Sequence, residues 1–211
     1  MMQYLKRMNK EYDMKGKIVF ATSNMGKMDE IKDIMKGMDY EIISMKEAGI
    51  DVDIDENGTT FEENALIKAR AVAAYTDAIV LADDSGLEVD ALGKEPGVKS
   101  SRYLGTDTPY ETKNATIISR LEGVADEDRS ARFVCAIAAV FADGSEKVVR
   151  GTIEGRIGYE SAGDNGFGYD PIFYVPEYGC TTAQLSTEVK NEISHRGKAL
   201  RKMTKVLALR S

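Results

Sequence analysis

Two cysteines and a single histidine are all that 211 residues supply of those types. Cys135 and Cys180 lie far apart and lack metal-site spacing, which excludes a disulfide framework of the secreted kind and reads both as reduced, structural thiols. His195 has no serine or cysteine triad to recruit it, so it is read as a recognition group or a structural hydrogen-bonder. No apolar run approaches the roughly 18 residues of a membrane-spanning helix, and Met1 to Lys15 is polar and charged, unlike a signal peptide. A cytoplasmic protein with no membrane partner is therefore expected. Basic charge is also in deficit: 28 lysines and arginines against 35 acidic residues leave a net charge of -7. That balance excludes a nucleic-acid duplex as partner, because backbone binding rides on a broad basic surface. A small phosphorylated ligand stays open where lysines and a divalent cation cluster locally.

With 43% apolar and 30% charged residues the chain has material for one sizeable core. Residues 1–15 are set apart as an N-terminal extension, and 16–211 are read as one α/β domain. Lys17 to Thr22 is a β-type run, and Gly26 to Gly37 carries Met28, Ile31, Ile34 and Met35 at helical spacing. Tyr40 to Ser44 is the next strand, and an acidic loop follows over residues 51–58. Thr60 and Glu63 form a capping box for a helix with Phe61, Ala65, Ala69, Val72 and Ala73 on its inner face. Residues 92–109 read as a long loop, with a helix beginning at Thr108, Pro109 and Glu111 and running to about Leu121. Arg132 to Ala142, the turn Asp143-Gly144 and Lys147 to Ile157 make a hairpin. A strand at Ile172 to Val175 and a last helix capped by Ser194 complete an α/β chain with mixed sheets.

The most informative segment is Ala82-Asp83-Asp84-Ser85-Gly86, which follows the apolar run Ala78 to Leu81. An unpaired buried carboxylate costs several kcal/mol, so an acidic pair ending a core strand calls for a cation, backbone amides or a paired base. Neighbouring strand residues face opposite ways, so Asp83 and Asp84 are assigned different jobs, and Ser85-Gly86 is read as a turn. A plain turn capping a strand is the competing reading.

Thr22-Ser23-Asn24-Met25-Gly26-Lys27 stands between a strand and a helix, where backbone amides favour phosphate. It matches neither the P-loop nor the dinucleotide fingerprint, and Asn24 as a simple helix cap is the alternative. Lys68 and Asn64 share a helical face that could meet Asp84, or Lys68 is a solvated surface group. Arg102 is a phosphate clamp or a loop arginine. In Gly166 to Pro171 two glycines allow tight backbone approach, and Phe167 can stack on a planar ligand, unless Phe167 and Tyr169 are buried in the core. Asp170 is an acceptor for a ring N–H, and Lys190, His195 and Arg196 add donors nearby in sequence.

In this order the segments resemble the inosine triphosphate pyrophosphatase family. The likeness runs from about Lys17 to the C-terminus and rests on the loop at 21–27, Thr60 to Ala65 with Lys68-Ala69, Ala82 to Leu87, Pro96-Gly97 with Ser101-Arg102-Tyr103, Gly166 to Pro171, and Ser194 to Gly197. It implies an elongated, two-lobed fold flanking a nucleotide cleft, Mg²⁺ dependence and a homodimer. It implies hydrolysis of non-standard purine nucleoside triphosphates (ITP, dITP, XTP) to the monophosphate and pyrophosphate. Thr22, Ser23, Asn24, Met25, Gly26, Lys27, Lys68 and Ser85 would hold the triphosphate, with Arg102 as a further clamp. Asp84 would be the catalytic acidic residue, binding the metal and activating water, and Phe167, Gly168, Tyr169, Asp170, Lys190, His195 and Arg196 would surround the base. Asp55, three residues before Gly58, stands for the second metal carboxylate with one methylene fewer than the family's glutamate. Cys180 and Gln184 replace a family Lys and Glu, and residues 1–15 have no family counterpart. A nucleotide-binding regulator without hydrolysis, and a pyrophosphatase for modified pyrimidines, are the rival functions.

Overall fold

Short apolar runs and amphipathic stretches alternate along the chain and form seven strands and five helices among the described residues, 16–22 and 24–210 of a computed structural model. The expectations for residues 1–15 and for Ser23 lie outside the described residues. The strands are β1 (Lys17–Phe20), β2 (Glu41–Ser44), β3 (Ile79–Val89), β4 (Ser130–Val140), β5 (Glu146–Ile157), β6 (Phe173–Val175) and β7 (Cys180–Thr181). The helices are α1 (Met25–Ile34), α2 (Phe61–Ala73), α3 (Tyr110–Arg120), α4 (Thr187–Ile193) and α5 (His195–Ala208). One sheet has the order β2-β1-β3-β4-β5-β6-β7. It is mixed: β1 pairs parallel with β2 and β3, whereas β6 pairs antiparallel with β5 and β7. The expected α/β fold with a mixed sheet is what the chain adopts. Among the described residues no helix is long and apolar enough to cross a membrane.

The chain divides into two compact units. Of the described residues, the first holds those up to Asp84, Ala136–Val149 and those from Leu200 on; the second holds Ser85–Cys135 and Arg150–Ala199. In the first unit Ile18, Val19 and Phe20 of β1 are fully buried, as are Ile31 of α1, Ala65, Ala69 and Val72 of α2, and Val80 and Leu81 of β3. Asn24 caps α1 by accepting from Lys27 N, and Thr60 caps α2 with Glu63 completing the reciprocal pair. In the second unit the core gathers Leu87, Val89, Ile117, Leu121, Phe133, Ile153, Ile157, Ile172 and Phe173, with the Phe133 and Phe173 rings 4.4 Å apart.

Three local expectations change. The Asp83-Asp84-Ser85-Gly86 segment is not a turn: β3 is one 11-residue strand running through it. Ser-Gly is local turn chemistry, but the strand is kept extended from outside, by ammonium groups against both aspartates and by Leu87 N donating to Ser100 Oγ at 2.9 Å. Helix α3 starts after Pro109, not at a Thr108 cap, because the Thr108 hydroxyl is spent on the Leu104 carbonyl at 2.7 Å. The stretch read as a long loop is structured by a 3-10 turn over Gly97–Arg102 and a bridge between Glu88 and Pro96.

Strand β5 meets the start of α5 at Gly151, where an added Cβ would lie 2.2 Å from His195 O and 2.6 Å from Ala199 N. Both neighbours are backbone, so neither can swing aside. Gly151→Ala is expected to lower stability by about 1–3 kcal/mol, the range for overpacking, in urea unfolding followed by circular dichroism; an unchanged midpoint would contradict this packing.

Candidate active site

Alternation along β3 sends its two aspartates to different partners. Asp83, 1% exposed, faces Lys27 of α1, whose Nζ lies 3.0 Å from Oδ2 and 3.2 Å from Oδ1. Asp84 faces α2, where Lys68 Nζ is 3.1 Å from Oδ1 and Asn64 Nδ2 donates to Oδ2 at 3.2 Å. Lys68 and Asn64 are one helical turn apart, which is why both reach one carboxyl group. Lys68 also holds a third acid: its Nζ lies 2.8 Å from Glu56 Oε2, in the loop before α2.

Electrostatics sharpen the picture. Burial pushes the Asp84 carboxyl above the ordinary aspartate range and the nearby Glu56 charge adds to it; Lys68 and Asn64 pull the other way without prevailing. Burial alone would depress Lys68, but Asp84, Asp83 and Glu56 outweigh it and hold the ammonium above its usual pKa. Asp84 and Glu56 thus meet on one ammonium group, and their mutual repulsion adds to the rise in the Asp84 pKa. A divalent cation beside Asp84 and Glu56 would relieve that repulsion. Among the described residues no group of three His, Cys, Asp or Glu side chains is arranged for a metal. The donor set that does exist, oxygens of two carboxylates, suits a hard divalent cation that keeps its other positions for water and phosphate oxygens.

The sequence reading placed the second metal carboxylate on Asp55. Asp55 is exposed and its side chain accepts from Asn57 Nδ2 at 3.4 Å, whereas Glu56 is the residue beside Lys68. The loop alternates, with Val52, Ile54, Glu56 and Gly58 half-buried and Asp51, Asp53, Asp55 and Asn57 exposed. The apolar Val52 and Ile54 already marked the inward parity, and Glu56 shares it. Upstream, the Thr22 hydroxyl accepts from Asn24 N at 3.2 Å and the Asn24 side chain accepts from Lys27 N at 3.1 Å. These bonds aim the N-terminus of α1, with Met25 and Gly26 in its first turn, at a position suited to an anion.

The second unit carries the aromatic loop. Gly166 has φ +80°, and a Cβ on it would sit 2.3 Å from Asp170 Oδ2 and 2.7 Å from Lys190 Nζ. Asp170 accepts through Oδ2 from Phe167 N and Lys190 Nζ, both at 2.8 Å, and through Oδ1 from the Thr182 hydroxyl at 2.8 Å. Asp170 therefore holds the loop together through both of its oxygens. Phe167 projects, 39% exposed, with the Lys190 ammonium 5.2 Å and the Arg196 guanidinium 5.6 Å from its ring centre. Gly168, at φ +72°, offers its carbonyl to Asn114 Nδ2 at 3.1 Å. Tyr169 turns inward: its hydroxyl donates to Ser100 O at 2.7 Å and its ring meets Tyr110 edge-on at 5.2 Å. Burial pushes its phenol pKa up.

His195 is buried and stacks on Phe133 at 4.9 Å. Arg102 is half-buried at the end of its 3-10 turn, and Ser85 is half-buried in β3. The residues that sequence reasoning missed are Glu56, Thr182 and Asn114. Thr182 and Asn114 carried no local signal, since each acts through a loop distant in sequence.

Comparison with known proteins bears on this arrangement. The family model described as the Ham1 family matches residues 18–206. A dITP/XTP pyrophosphatase of Desulforamulus reducens is 47% identical over 191 residues, 90% of this chain and 95% of the relative. The dITP/XTP pyrophosphatase of Bacillus subtilis is 45% identical over 189 residues, covering 90% and 96%. The solved Ham1 protein of Staphylococcus aureus superposes with a TM-score of 0.84 at 44% identity, covering 92% of this chain and all of that one. The family's match from β1 into α5 takes in both the acidic cluster and the aromatic loop, and this chain belongs to the Ham1 family.

Proposed function

We propose that this protein hydrolyses non-standard purine nucleoside triphosphates, such as ITP, dITP and XTP, to the nucleoside monophosphate and pyrophosphate, and so clears them from the nucleotide pool. The observation that carries the reading is the buried Asp84 carboxyl meeting Glu56 on the Lys68 ammonium, a set of groups with a use for a cation and a polyphosphate. The relatives' names, dITP/XTP pyrophosphatase, supply the substrate class. A nucleoside triphosphate carries both kinds of chemistry that the chain offers, an anionic tail for the lysines and a planar ring for Phe167.

Asp84 and Glu56 would hold Mg²⁺, which supplies charge neutralisation on the triphosphate when bound. Lys27 and Lys68 reach phosphate oxygens, exchanging their internal carboxylates for substrate, and the N-terminus of α1 adds backbone donors. Asp84 takes the proton of the attacking water as the anhydride between the first two phosphates breaks, and the lysines stabilise the departing pyrophosphate. Ring selectivity follows from donor placement. The guanidinium of Arg196 and the ammonium of Lys190 flank Phe167 and satisfy a 6-oxo group, whereas the adenine 6-amino group would leave a donor unpaired at about 1–3 kcal/mol. A homodimer and a cytoplasmic location belong to the same proposal, on the strength of the family resemblance.

The expected result for Asp84→Asn is a loss of at least about a hundredfold in pyrophosphate release from ITP with Mg²⁺, the scale of a lost general base. The fold should survive. The raised Asp84 pKa means that ionising it in the folded state costs stability, a loss incurred as pH rises through that pKa. Near-normal turnover by the variant would overturn the assignment. Phe167→Ala should raise KM for ITP by about ten- to a hundredfold with a smaller effect on kcat, matching the loss of one base stack; steady-state kinetics returning an unchanged KM would remove the stacking role.

A further inference from the structure

One amide side chain touches both sides of the acidic cluster. Asn64, fully buried on α2, accepts from Gly58 N through Oδ1 at 2.8 Å and donates through Nδ2 to Asp84 Oδ2 at 3.2 Å. Gly58 lies two residues after Glu56 in the loop that delivers that carboxylate. A Cβ on Gly58 would sit 2.7 Å from Asn64 Oδ1, 2.8 Å from Glu63 Cβ and 3.0 Å from Asn64 N, so the loop rests on the first turn of α2 because this residue has no side chain. The next residues extend the same docking. Glu63 Oε2 accepts from Thr59 N at 2.7 Å, from the Thr59 hydroxyl at 2.8 Å and from Thr60 N at 3.2 Å. One turn beyond Asn64, Lys68 receives Glu56.

We propose that Asn64 is a positioning residue that sets the interval between Asp84 and Glu56, holding the loop of one through Gly58 and the carboxyl group of the other directly. The role rests on the functional reading above, which gives those two carboxylates a shared cation. Its chemistry is specific to an amide. Asn64 must accept at one atom and donate at the other, in a fixed planar geometry; aspartate cannot donate to a second carboxylate, and an aliphatic residue can do neither. Displacing a reacting group by about 1 Å can cost a hundredfold in rate, which is why a residue outside the reaction can govern it. A buried amide that only satisfies two neighbours would carry no such consequence.

Three variants bear on the two halves of the clamp: Asn64→Ala removes both bonds, Gly58→Ala forces the loop and the Asn64 carbonyl apart, and Asn64→Asp keeps the acceptor for Gly58 N but loses the donor to Asp84. Amide hydrogen exchange over residues 55–59, Mn²⁺ binding by titration calorimetry without nucleotide, and the kcat and KM for ITP are read on each. Asn64→Ala and Gly58→Ala should lose loop protection and bind Mn²⁺ about ten- to a hundredfold more weakly, the usual range for a supporting residue of a metal site. Asn64→Asp should keep loop protection but lose about tenfold or more in kcat, with KM held within about threefold. The proposal is overturned if Asn64→Ala keeps loop exchange, Mn²⁺ affinity and kcat within about twofold of wild type, or if Asn64→Asp retains wild-type kcat. Should Asn64→Ala fail to fold, Gly58→Ala with unaltered exchange and Mn²⁺ affinity overturns it equally. If wild type cleaves no nucleoside triphosphate, the functional reading falls by itself, while exchange and Mn²⁺ binding still decide the clamp.

Discussion

Two adjacent carboxylates inside a buried strand would each cost several kcal/mol if left alone, and β3 tolerates them because cations stand against both faces. Lys27 covers Asp83 from one side and Lys68 covers Asp84 from the other. The rest of the first unit serves that arrangement: β1 and its capped helix deliver Lys27, the capping box of α2 fixes where Lys68 and Asn64 point, and the loop before α2 brings Glu56 to the same lysine. The compensation is uneven. Lys27 stands against Asp83, whereas Asp84 shares Lys68 with Glu56 and keeps a pKa above the usual range. That imbalance is unfavourable in a resting protein and useful in one that must attract a divalent ion and a polyphosphate.

The second unit uses charge differently. Asp170 and Lys190 are both buried and paired at 2.8 Å, and the carboxylate also secures Phe167 N and Thr182. This pair organises a tight loop so that one aromatic ring remains outward with two cationic groups over it. Gly166 suits the turn there, since its φ is positive and a Cβ would press on the tips of the paired Asp170 and Lys190 side chains. A rigid, half-exposed ring requires little ordering when a planar ligand stacks on it, which favours binding.

Much of this was legible in the residues. The acidic pair was visible as an anomaly at the end of an apolar run, strand alternation separated the jobs of Asp83 and Asp84, and helical spacing put Asn64 and Lys68 on one face. What escaped was set by partners remote in sequence. Asp-Asp-Ser-Gly has turn chemistry locally, and its extension is decided by Lys27 and by Ser100, neither of them nearby in sequence. Phe167 and Tyr169, two residues apart, take opposite environments because left-handed glycines at 166 and 168 break the alternation that a strand would impose. Helix α4 over Thr187–Ile193, capped by Ser186, is short enough to give no periodic signal. That Glu56 and not Asp55 turns toward Lys68 was readable from the parity of Val52 and Ile54.

The central claim, that Asp84 and Glu56 share a cation while the lysines turn to phosphate, is most directly tested by anomalous diffraction from crystals grown with Mn²⁺ and a non-hydrolysable inosine triphosphate analogue. The account predicts one strong Mn²⁺ peak ligated by Asp84, Glu56 and phosphate oxygens, with Lys68 moved from between the two carboxylates to the triphosphate. A peak held by other residues, or a nucleotide bound while Lys68 still bridges Glu56 and Asp84 with no ion beside them, would contradict it.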